Sequence, residues 1–338
     1  MEPDRRGHEA GPAIAAGSRG ARHRPGAAGG VTAETAVTDP AASEILDRAG
    51  LDRVRGRLLG IGYRITGTWA DAEDAADEAL ARLVARETVD AGGGEALDNT
   101  EAWLTTVATR LCLDRLRRRQ REAYTGAWLP EPVDTALLPE DSAEHRDDLR
   151  LGMLLAYEQL GPDERAAFVL REAYDLPYAQ IAEILHATAP TVRQWVSRAR
   201  HRLDTDLRPP ERAPHQLIGQ LVEAVMSGDL DATIAALTSD VRVVSDSDGK
   251  VNAARHDIVG PRKSAYFLVK AAELAEGQVA PVEVNGDVGL AVRSRGVTRI
   301  CVVGVEDGRV TRIWFHANPA KLRHLNLPEE FRAPADPA

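Results

Sequence analysis

The sequence predicts a multidomain protein in which two all-α parts are followed by an α+β domain. Apolar residues recur every three to four positions in residues 45–124 and again in 150–208, which is the spacing of amphipathic helices. In residues 213–327 helical patterns are followed by runs rich in Val and Ile, which favour strands. With 338 residues and 43% apolar content, the chain is long enough for several separate cores.

Composition and charge narrow the class of protein. No run of about 18 apolar residues occurs and the apolar stretch of a secretory signal is missing, so no membrane contact and a cytoplasmic location are expected. Residues 1–44, rich in Gly, Ala and Pro, and residues 328–338 are expected to be disordered tails. The net charge of −10 argues at first against nucleic acid, because phosphates are bound by Lys and Arg, but the charges are unevenly divided. Cys112 and Cys301 lie far apart and fit two buried thiols better than a disulfide or a metal site.

The first helical part, residues 45–124, contains a strongly acidic helix. A first helix ends at Gly67, and Thr68 with Asp71 is typical of a capping pair that opens a second helix. Residues 71–90 hold seven acids and two arginines. Like charges at helical spacing repel one another, so they favour a basic partner surface, although a merely solvated face is an alternative. The acids expected to share this outer face are Asp71, Asp74, Asp77 and Glu78.

A third helix, beginning near Thr100, ends in a basic segment. Its first half buries Trp103 and Leu104, and Trp103 fits the core better than a base-stacking role. Residues 110–122 hold six arginines against two acids. Guanidinium groups pair well with phosphates, so this segment is suited to lie along a nucleic-acid backbone.

The second helical part, residues 150–208, contains a predicted helix-turn-helix. A short helix at 176–185 is followed by a turn, by Thr188 as a cap, and by a helix at 189–203 with one apolar stripe. An Arg and a Gln on the outer face can read guanine and adenine in a major groove. An ordinary pair of amphipathic helices is the alternative. The outward residues include Arg193, Gln194, Ser197 and Arg200.

Four stretches of the sequence carry a resemblance to a known family. They are LLGIGYRITGTWADAEDAADEALARLVA, WLTTVATRLCLDRLRR and LGPDERAAFVLREAYDLPYAQIAEIL with TVRQWVSRARHRL. Together they resemble regions 2 and 4 of an extracytoplasmic-function sigma factor of bacterial RNA polymerase, over about residues 47–205. One departure is DEALARL, with alanine where an aromatic residue often stands, which bears on polymerase affinity.

The resemblance implies three sets of functional residues. The acidic face would dock on the coiled coil of the polymerase β′ clamp through Asp71, Asp74, Asp77 and Glu78. The minus-ten promoter element would be opened and read by Trp103, Arg110, Asp114, Arg115, Arg117 and Arg118. The minus-thirty-five element would be read by Thr191, Arg193, Gln194, Ser197, Arg198 and Arg200.

The linker, residues 125–149, contains the motif WLPEP, which we call the strap (residues 128–132). Its two prolines favour an extended backbone rather than a helix. The strap resembles a signature of the sigma-J type of these factors, which carry a C-terminal SnoaL-like domain. In that subgroup two segments of the domain, matching residues 245–250 and the NPAKL segment at residues 318–322, face the sigma core. This chain has DSDGK where more glycine is usual, which bears on the flexibility of that loop. The implied regulatory interface comprises Trp128, Leu129, Pro130, Glu131, Pro132, Asp248, Gly249, Lys250, Asn318, Pro319, Lys321 and Leu322.

The C-terminal part, residues 213–327, is expected to be an α+β cone. Its strands are separated by Asn285-Gly286 and Asp307-Gly308, which are strong hairpin signals. The expected fold class is therefore multidomain, with all-α sigma region 2 and sigma region 4 (helix-turn-helix) followed by an α+β SnoaL-like cone domain. Related cones include enzymes, but no spacing forces two candidate bases together, so no catalytic residue, metal or cofactor is expected. The candidate bases are Asp246, Asp248, His256 and His316.

The expected function is that of an alternative sigma factor regulated by its own C-terminal domain. Its expected partners are core RNA polymerase, through the β′ clamp coiled coil and the β flap, and promoter DNA. The sequence leaves open a small-molecule ligand for the cone. Two other classes are a polymerase-independent helix-turn-helix regulator with a ligand-sensing domain, and an enzyme fused to a DNA-binding module.

Overall fold

A computed structural model of the chain describes residues 48–90, 97–138, 147–275 and 278–332. The predicted N-terminal tail, the linker residues 139–146 and residues 333–338 lie outside these ranges. No described helix is both long and apolar enough to cross a membrane. Within these ranges the first helical part shows three helices, whose packed faces bury residues such as Ile61, Leu83 and Leu104. The helices are α1 (Arg48–Thr66), α2 (Trp69–Asp90) and α3 (Thr100–Arg119).

The second helical part contains the predicted helix-turn-helix. The hydroxyl of Thr188 caps the last helix by accepting a hydrogen bond from the Thr191 amide at 3.3 Å, and His186 takes a positive φ of 51° in the turn before it. The buried residues of both helical parts form one continuous apolar cluster. The two parts are therefore packed together in this structure rather than separated. The helices are α4 (Leu151–Tyr157), α5 (Pro162–Glu172), α6 (Tyr178–Ile184) and α7 (Ala189–Asp204).

Within the described residues, the C-terminal part has three α-helices and a seven-stranded sheet in the order β3-β2-β7-β6-β5-β4, with β1 pairing β6. The β2–β7 pairing is parallel and the other pairings are antiparallel. The helices are α8 (His215–Met226), α9 (Leu230–Ala235) and α10 (Pro261–Ala275). The strands are β1 (Glu211–Arg212), β2 (Leu237–Asp246), β3 (Ile258–Val259), β4 (Val279–Val284), β5 (Asp287–Ser294), β6 (Val297–Glu306) and β7 (Arg309–His316).

Three tight turns join the last four strands. The two predicted hairpins are confirmed, because Asn285-Gly286 and Asp307-Gly308 both take positive φ at both positions, as a type I′ turn requires. Arg295-Gly296 forms a third turn of this kind, with φ of 51° and 77°. It was not predicted, because arginine is not a residue that usually signals a left-handed conformation.

The two faces of the sheet have different partners. One face is covered by α8 and α10 and buries Leu268 and Phe315. The opposite face packs against the helical parts, where Trp314 shares an apolar cluster with Leu129 of the strap and Leu151 of α4. The alternation of side chains along β7 thus supplies one face to the cone interior and one to the rest of the protein.

The prediction places the start of the disordered C-terminal tail, at residue 328, too early in the chain. Residues 328–332 are ordered by a 3-10 helix, Glu329–Phe331, in which Phe331 is buried beside the strap-facing side of the sheet. The Thr298 hydroxyl donates to the Phe331 carbonyl at 2.6 Å. The prediction was wrong here because Phe331 packs against residues that are distant in sequence, and local composition does not reveal such a contact.

Candidate nucleic-acid interface

Helix α7 presents a polar face to solvent. Its buried stripe includes Val192 and Val196, which leaves Arg193, Gln194 and Ser197 exposed. Within the described ranges, Arg193 has no ion pair with a carboxylate, and its guanidinium lies 5.3 Å from the ring centre of Tyr178. These three side chains are free to meet another surface.

Three other predicted readers on the same helix are held by neighbours. Arg200 pairs with Glu172 at 2.7 Å and Arg198 approaches Glu164 at 3.5 Å. The Thr191 hydroxyl lies 2.8 Å from that of Thr188. Both arginines are more than half exposed, so these pairs are weak and compete poorly with a phosphate.

The basic end of α3 is partly covered by the second helical part. Arg110 donates to the carbonyls of Glu183 and Ile184 at 3.0 Å each, in the last turn of α6, where the helix itself does not satisfy every carbonyl. Arg117 pairs with Asp163 of α5 at 2.6 Å. Two of the residues predicted to read the minus-ten element therefore contact the second helical part in this structure.

The remaining predicted minus-ten residues lie in different surroundings. Arg115 is mostly buried and donates to the Asp71 carbonyl at 3.0 Å. Arg118 and Asp114 are exposed, and Asp114 lies 3.9 Å from its helical neighbour Arg117. Trp103 is half-buried and packs against the shared core.

The four acids of α2 that were predicted to share one face do not form one uniform surface. Asp74, Asp77 and Glu78 expose 72%, 59% and 44% of their side chains. Asp71 exposes 32%, and burial raises its pKa although Arg115 opposes the shift. Three carboxylates are thus exposed to solvent, although each has an arginine within 4.0 Å, whereas Asp71 belongs to the contact between α2 and α3.

A buried ionic cluster joins the two helical parts and was not predicted. Arg165, in α5, pairs with Glu158 and donates to the Arg64 carbonyl at 2.7 Å. Glu158 also binds Arg119 of α3 at 3.0 Å, and burial lowers the pKa of that arginine. The available signal was the position of Arg165, which is three residues before Phe168 on the apolar face.

The strap closes onto the first helical part through Glu131. The amide of Glu131 donates to the Gly67 carbonyl at 2.8 Å, while its carboxylate accepts from the Trp69 amide at 2.9 Å. This carboxylate caps α2 in place of the capping pair predicted from Thr68 and Asp71. The positive end of the helix dipole stabilises its negative charge. Its other oxygen lies 2.6 Å from Nδ1 of His324, so one residue links α2, the strap and the C-terminal domain.

A buried ion pair binds the strap from the side of the sheet. The carboxylate of Asp246 lies 2.6 Å from Nζ of Lys321 and accepts from the Leu129 amide at 2.8 Å and from the Tyr124 hydroxyl. Lys321 donates to the Leu129 carbonyl at 2.5 Å and lies 4.1 Å from the Trp128 ring centre. Burial lowers the pKa of Lys321 to about 8, and Asp246 opposes that shift.

The two predicted segments of the C-terminal domain both reach this contact. The Thr125 amide donates to Asp248 at 3.4 Å, and Gly249, at a φ of 67°, lies against the same threonine. Lys250 donates to the Asn318 side chain at 3.2 Å. The structure therefore brings the DSDGK segment and the NPAKL segment together at the linker.

The other predicted interface residues differ in burial. Residues 129–132 of the strap are buried, and Trp128 is half-buried with the Arg119 guanidinium 3.8 Å from its ring centre. Leu322 packs in the same apolar cluster as the strap, whereas Pro319 is exposed.

A second polar junction, centred on Asn285, was missed. This hairpin residue donates to the Tyr63 hydroxyl and to the Leu149 carbonyl at 2.8 Å each, and accepts from the Val133 amide at 3.1 Å. Tyr63 in turn donates to the Glu131 carbonyl at 2.5 Å. The Asn-Gly signal predicted the turn correctly but not the burial of the side chain.

The candidate bases are not arranged around one cavity. Asp246 and His316 face each other across β2 and β7, but Asp246 is engaged by Lys321, and burial lowers the pKa of His316 to about 3. Both cysteines are free and buried, as expected, and burial raises the pKa of each thiol to about 12.

Comparisons with known proteins agree with this architecture. The family model described as Sigma-70 region 2 matches residues 51–122, and that described as Sigma-70, region 4 matches residues 151–203. The chain is 35% identical over 306 residues to the ECF RNA polymerase sigma factor SigJ of Mycobacterium tuberculosis, covering 84% of this chain and 95% of the relative. It is 31% identical over 279 residues to the probable ECF RNA polymerase sigma factor SigI of the same species, covering 80% and 93%.

A solved structure gives the same answer for the whole arrangement. The crystal structure of SigJ of Mycobacterium tuberculosis superposes with a TM-score of 0.68 at 33% identity, covering 83% of this chain and 99% of that chain. The predicted fold class, two helical sigma regions followed by an α+β domain, is thereby confirmed. The chain belongs to the extracytoplasmic-function sigma factors of the sigma-J type.

Proposed function

We propose that this alternative sigma factor is regulated by the contact between its C-terminal domain and the strap. Membership of the family supports binding to core RNA polymerase and promoter DNA. The exposed acids of α2 would dock on the β′ clamp coiled coil, and region 4 would dock on the β flap. The observation that carries the regulatory proposal is the buried pair of Asp246 and Lys321, which holds the Leu129 backbone.

The closed packing of regions 2 and 4 supports a change of arrangement at the promoter. The two promoter elements are about 25 base pairs apart, which is roughly 85 Å of duplex at about 3.4 Å per base pair. Here, however, Arg110 and Arg117 of the minus-ten helix touch region 4 directly. One molecule cannot both span the two promoter elements and keep regions 2 and 4 in contact. We therefore infer that the regions separate, and that the strap contact sets how readily they do so.

Removal of the C-terminal domain tests this regulation. A chain ending at residue 208 is expected to bind core polymerase and yet give a changed amount of transcript, because the strap then lacks Asp246 and Lys321. Run-off transcription and core pull-down measure the two properties separately. As a milder variant with the domain kept, His324→Ala removes only the link to Glu131. Unchanged output and promoter choice in both proteins would contradict the proposal.

The recognition helix supplies a test at the level of single bases. Replacing Arg193 or Gln194 by Ala is expected to cost about 1–3 kcal/mol per lost paired contact at one minus-thirty-five position. Selection of bound DNA by the reconstituted holoenzyme measures the sequence preference. Arg309→Ala, an exposed arginine on the C-terminal domain, controls for charge. An unaltered preference would remove these two residues from base reading.

The alternative of a polymerase-independent regulator is not favoured by the comparisons, since the matched relatives are sigma factors. Promoter binding of equal strength without core polymerase would revive it. Sigma factors are generally regulators without enzymatic activity. We further propose a cytoplasmic location, where bacterial transcription takes place, and a small-molecule ligand for the C-terminal domain.

A further inference from the structure

The C-terminal domain contains a cavity between α10 and the covered face of the sheet. Its volume is about 440 Å³, within the range of about 300–1,000 Å³ typical of ligand sites. Phe267, Val292 and Phe315 form much of its wall, and Arg299 and Ser294 add polar groups. The combination is a mainly apolar chamber with a cation on one side.

An apolar recess adjoins this cavity. It has a volume of about 70 Å³ and shares Val292 and Phe315 with the larger space. Its other lining residues include Leu268 and Ile313, and almost all of its surface is carbon. A ligand that fills both spaces needs an apolar end.

The cation of this cavity lacks a counter-charge among the described residues. The guanidinium of Arg299 donates to the carbonyls of Asn252 at 3.0 Å and Val297 at 3.3 Å, and no described carboxylate lies within 4.0 Å. Burial lowers the pKa of Arg299, and no neighbouring acid offsets the shift. By contrast Lys270, in the same wall, is paired with Glu273 at 2.7 Å. Arg299 is therefore the cation for which an anionic ligand would be favourable.

We infer that the cavity binds a small carboxylic acid with an apolar tail. The planar guanidinium matches a carboxylate through two parallel hydrogen bonds, and the tail would lie against Phe267 and Phe315. A phosphate ester with several charges is disfavoured, because among the described lining residues Arg299 is the one cation without an ion pair, and the walls are mostly apolar. This inference rests on the proposed ligand role of the C-terminal domain and adds the chemical class.

The position of the site bears on regulation. Asn252, which accepts from Arg299, lies two residues after Lys250 in the segment that contacts the linker. A carboxylate on Arg299 competes for the donors that now hold the Asn252 carbonyl. The ligand would therefore act close to the strap contact rather than at a remote surface.

Titration calorimetry of the full chain with octanoate tests the inference. Octanoate is expected to bind, while octan-1-ol and octylamine, which have the same tail without the negative charge, bind at least about tenfold more weakly. Arg299→Gln is expected to lower octanoate affinity about 10- to 100-fold, and Arg299→Lys less so. Arg309→Gln, exposed at the far end of β7, should leave the affinity unchanged.

Thermal unfolding of the ligand-free variants separates binding from folding. Because Arg299 forms no ion pair with any described residue, Arg299→Gln is expected to unfold near the temperature of the parent protein. A large loss of stability with unchanged octanoate affinity would make Arg299 a loop anchor and overturn the inference.

The other outcomes also discriminate. Equal affinity for octanoate and octan-1-ol overturns the anionic class but leaves a ligand cavity in place. No binding of any probe overturns the inference while transcription with core polymerase stands independently. Octanoate binding by a chain that fails to support transcription would refute the proposed function instead.

Discussion

Replacing Asp246 by Asn is expected to lower the free energy of unfolding by about 3–5 kcal/mol at pH 6.5, because it leaves a buried ammonium without its counter-charge. The substitution keeps the shape of the side chain and an acceptor for the Leu129 amide. Lys321 lies against Trp128, so indole fluorescence during chemical unfolding reports on the strap. Hydrogen exchange at the Leu129 amide reports whether the strap opens before the domains unfold.

The pH dependence of this loss follows from the pKa of Lys321. In the folded protein that pKa is lowered to about 8, and without Asp246 it falls further, since the carboxylate opposes the shift. Where the unfolded chain binds more protons than the folded chain, stability rises with pH. The variant therefore regains stability as the pH rises toward 8, and its deficit is expected to be smaller at pH 9 than at pH 6.5.

Two controls limit the interpretation. Asp248→Asn changes the same functional group two residues away, in a more exposed pair with Lys250, and is expected to cost less than about 1 kcal/mol. The double variant Asp246→Asn with Lys321→Met removes both charges and should recover most of the loss. Equal costs for the two asparagine variants would show that the buried pair does not hold the strap.

Reversing Asp74 and Glu78 to Lys is expected to weaken binding to core polymerase roughly 100-fold or more, because like charges placed across an interface cost several kcal/mol. Both side chains are exposed, so the fold should tolerate the change. Promoter-specific transcripts are expected to disappear with the binding. Affinity for core polymerase at several salt concentrations measures the effect, which should shrink as salt screens the charges.

Matched reversals elsewhere give the same net charge. Glu223→Lys with Glu306→Lys alters two exposed acids of the C-terminal domain and should leave core binding intact. Asp71→Lys is predicted to disturb the fold as well as the charge, since Asp71 packs beside Arg115, in the contact between α2 and α3. Retained polymerase binding by the variant with Asp74→Lys and Glu78→Lys would place the docking surface outside α2.

Local patterns predicted most of the architecture. Helical spacing located α1 to α3 and the helix-turn-helix, and the Asn-Gly and Asp-Gly pairs located two hairpins, because these features depend on residues close in sequence. The parallel pairing of β2 with β7 joins distant segments and leaves no local trace. The same holds for the turn at Arg295-Gly296, which the surrounding strands impose.

The interface was predicted less completely than the fold. Family resemblance pointed to the strap and to the segments around Lys250 and Lys321, but not to their partners. Asp246 lies in the segment at residues 245–250 that was expected to face the sigma core, but its side chain was assigned only as a candidate base, whereas its carboxylate is the centre of the strap contact. His324 and Asn285 were missed, because a polar residue in a loop carries no sign of the residue it will meet across the molecule.

The continuous core of regions 2 and 4 has a thermodynamic consequence for initiation. When the regions part, apolar side chains that are now hidden from water become hydrated, and hydration of apolar surface raises the heat capacity. Holoenzyme assembly should therefore show a less negative heat-capacity change than the newly buried interfaces alone would give. Calorimetry at several temperatures can thus detect the opening without any label on the protein.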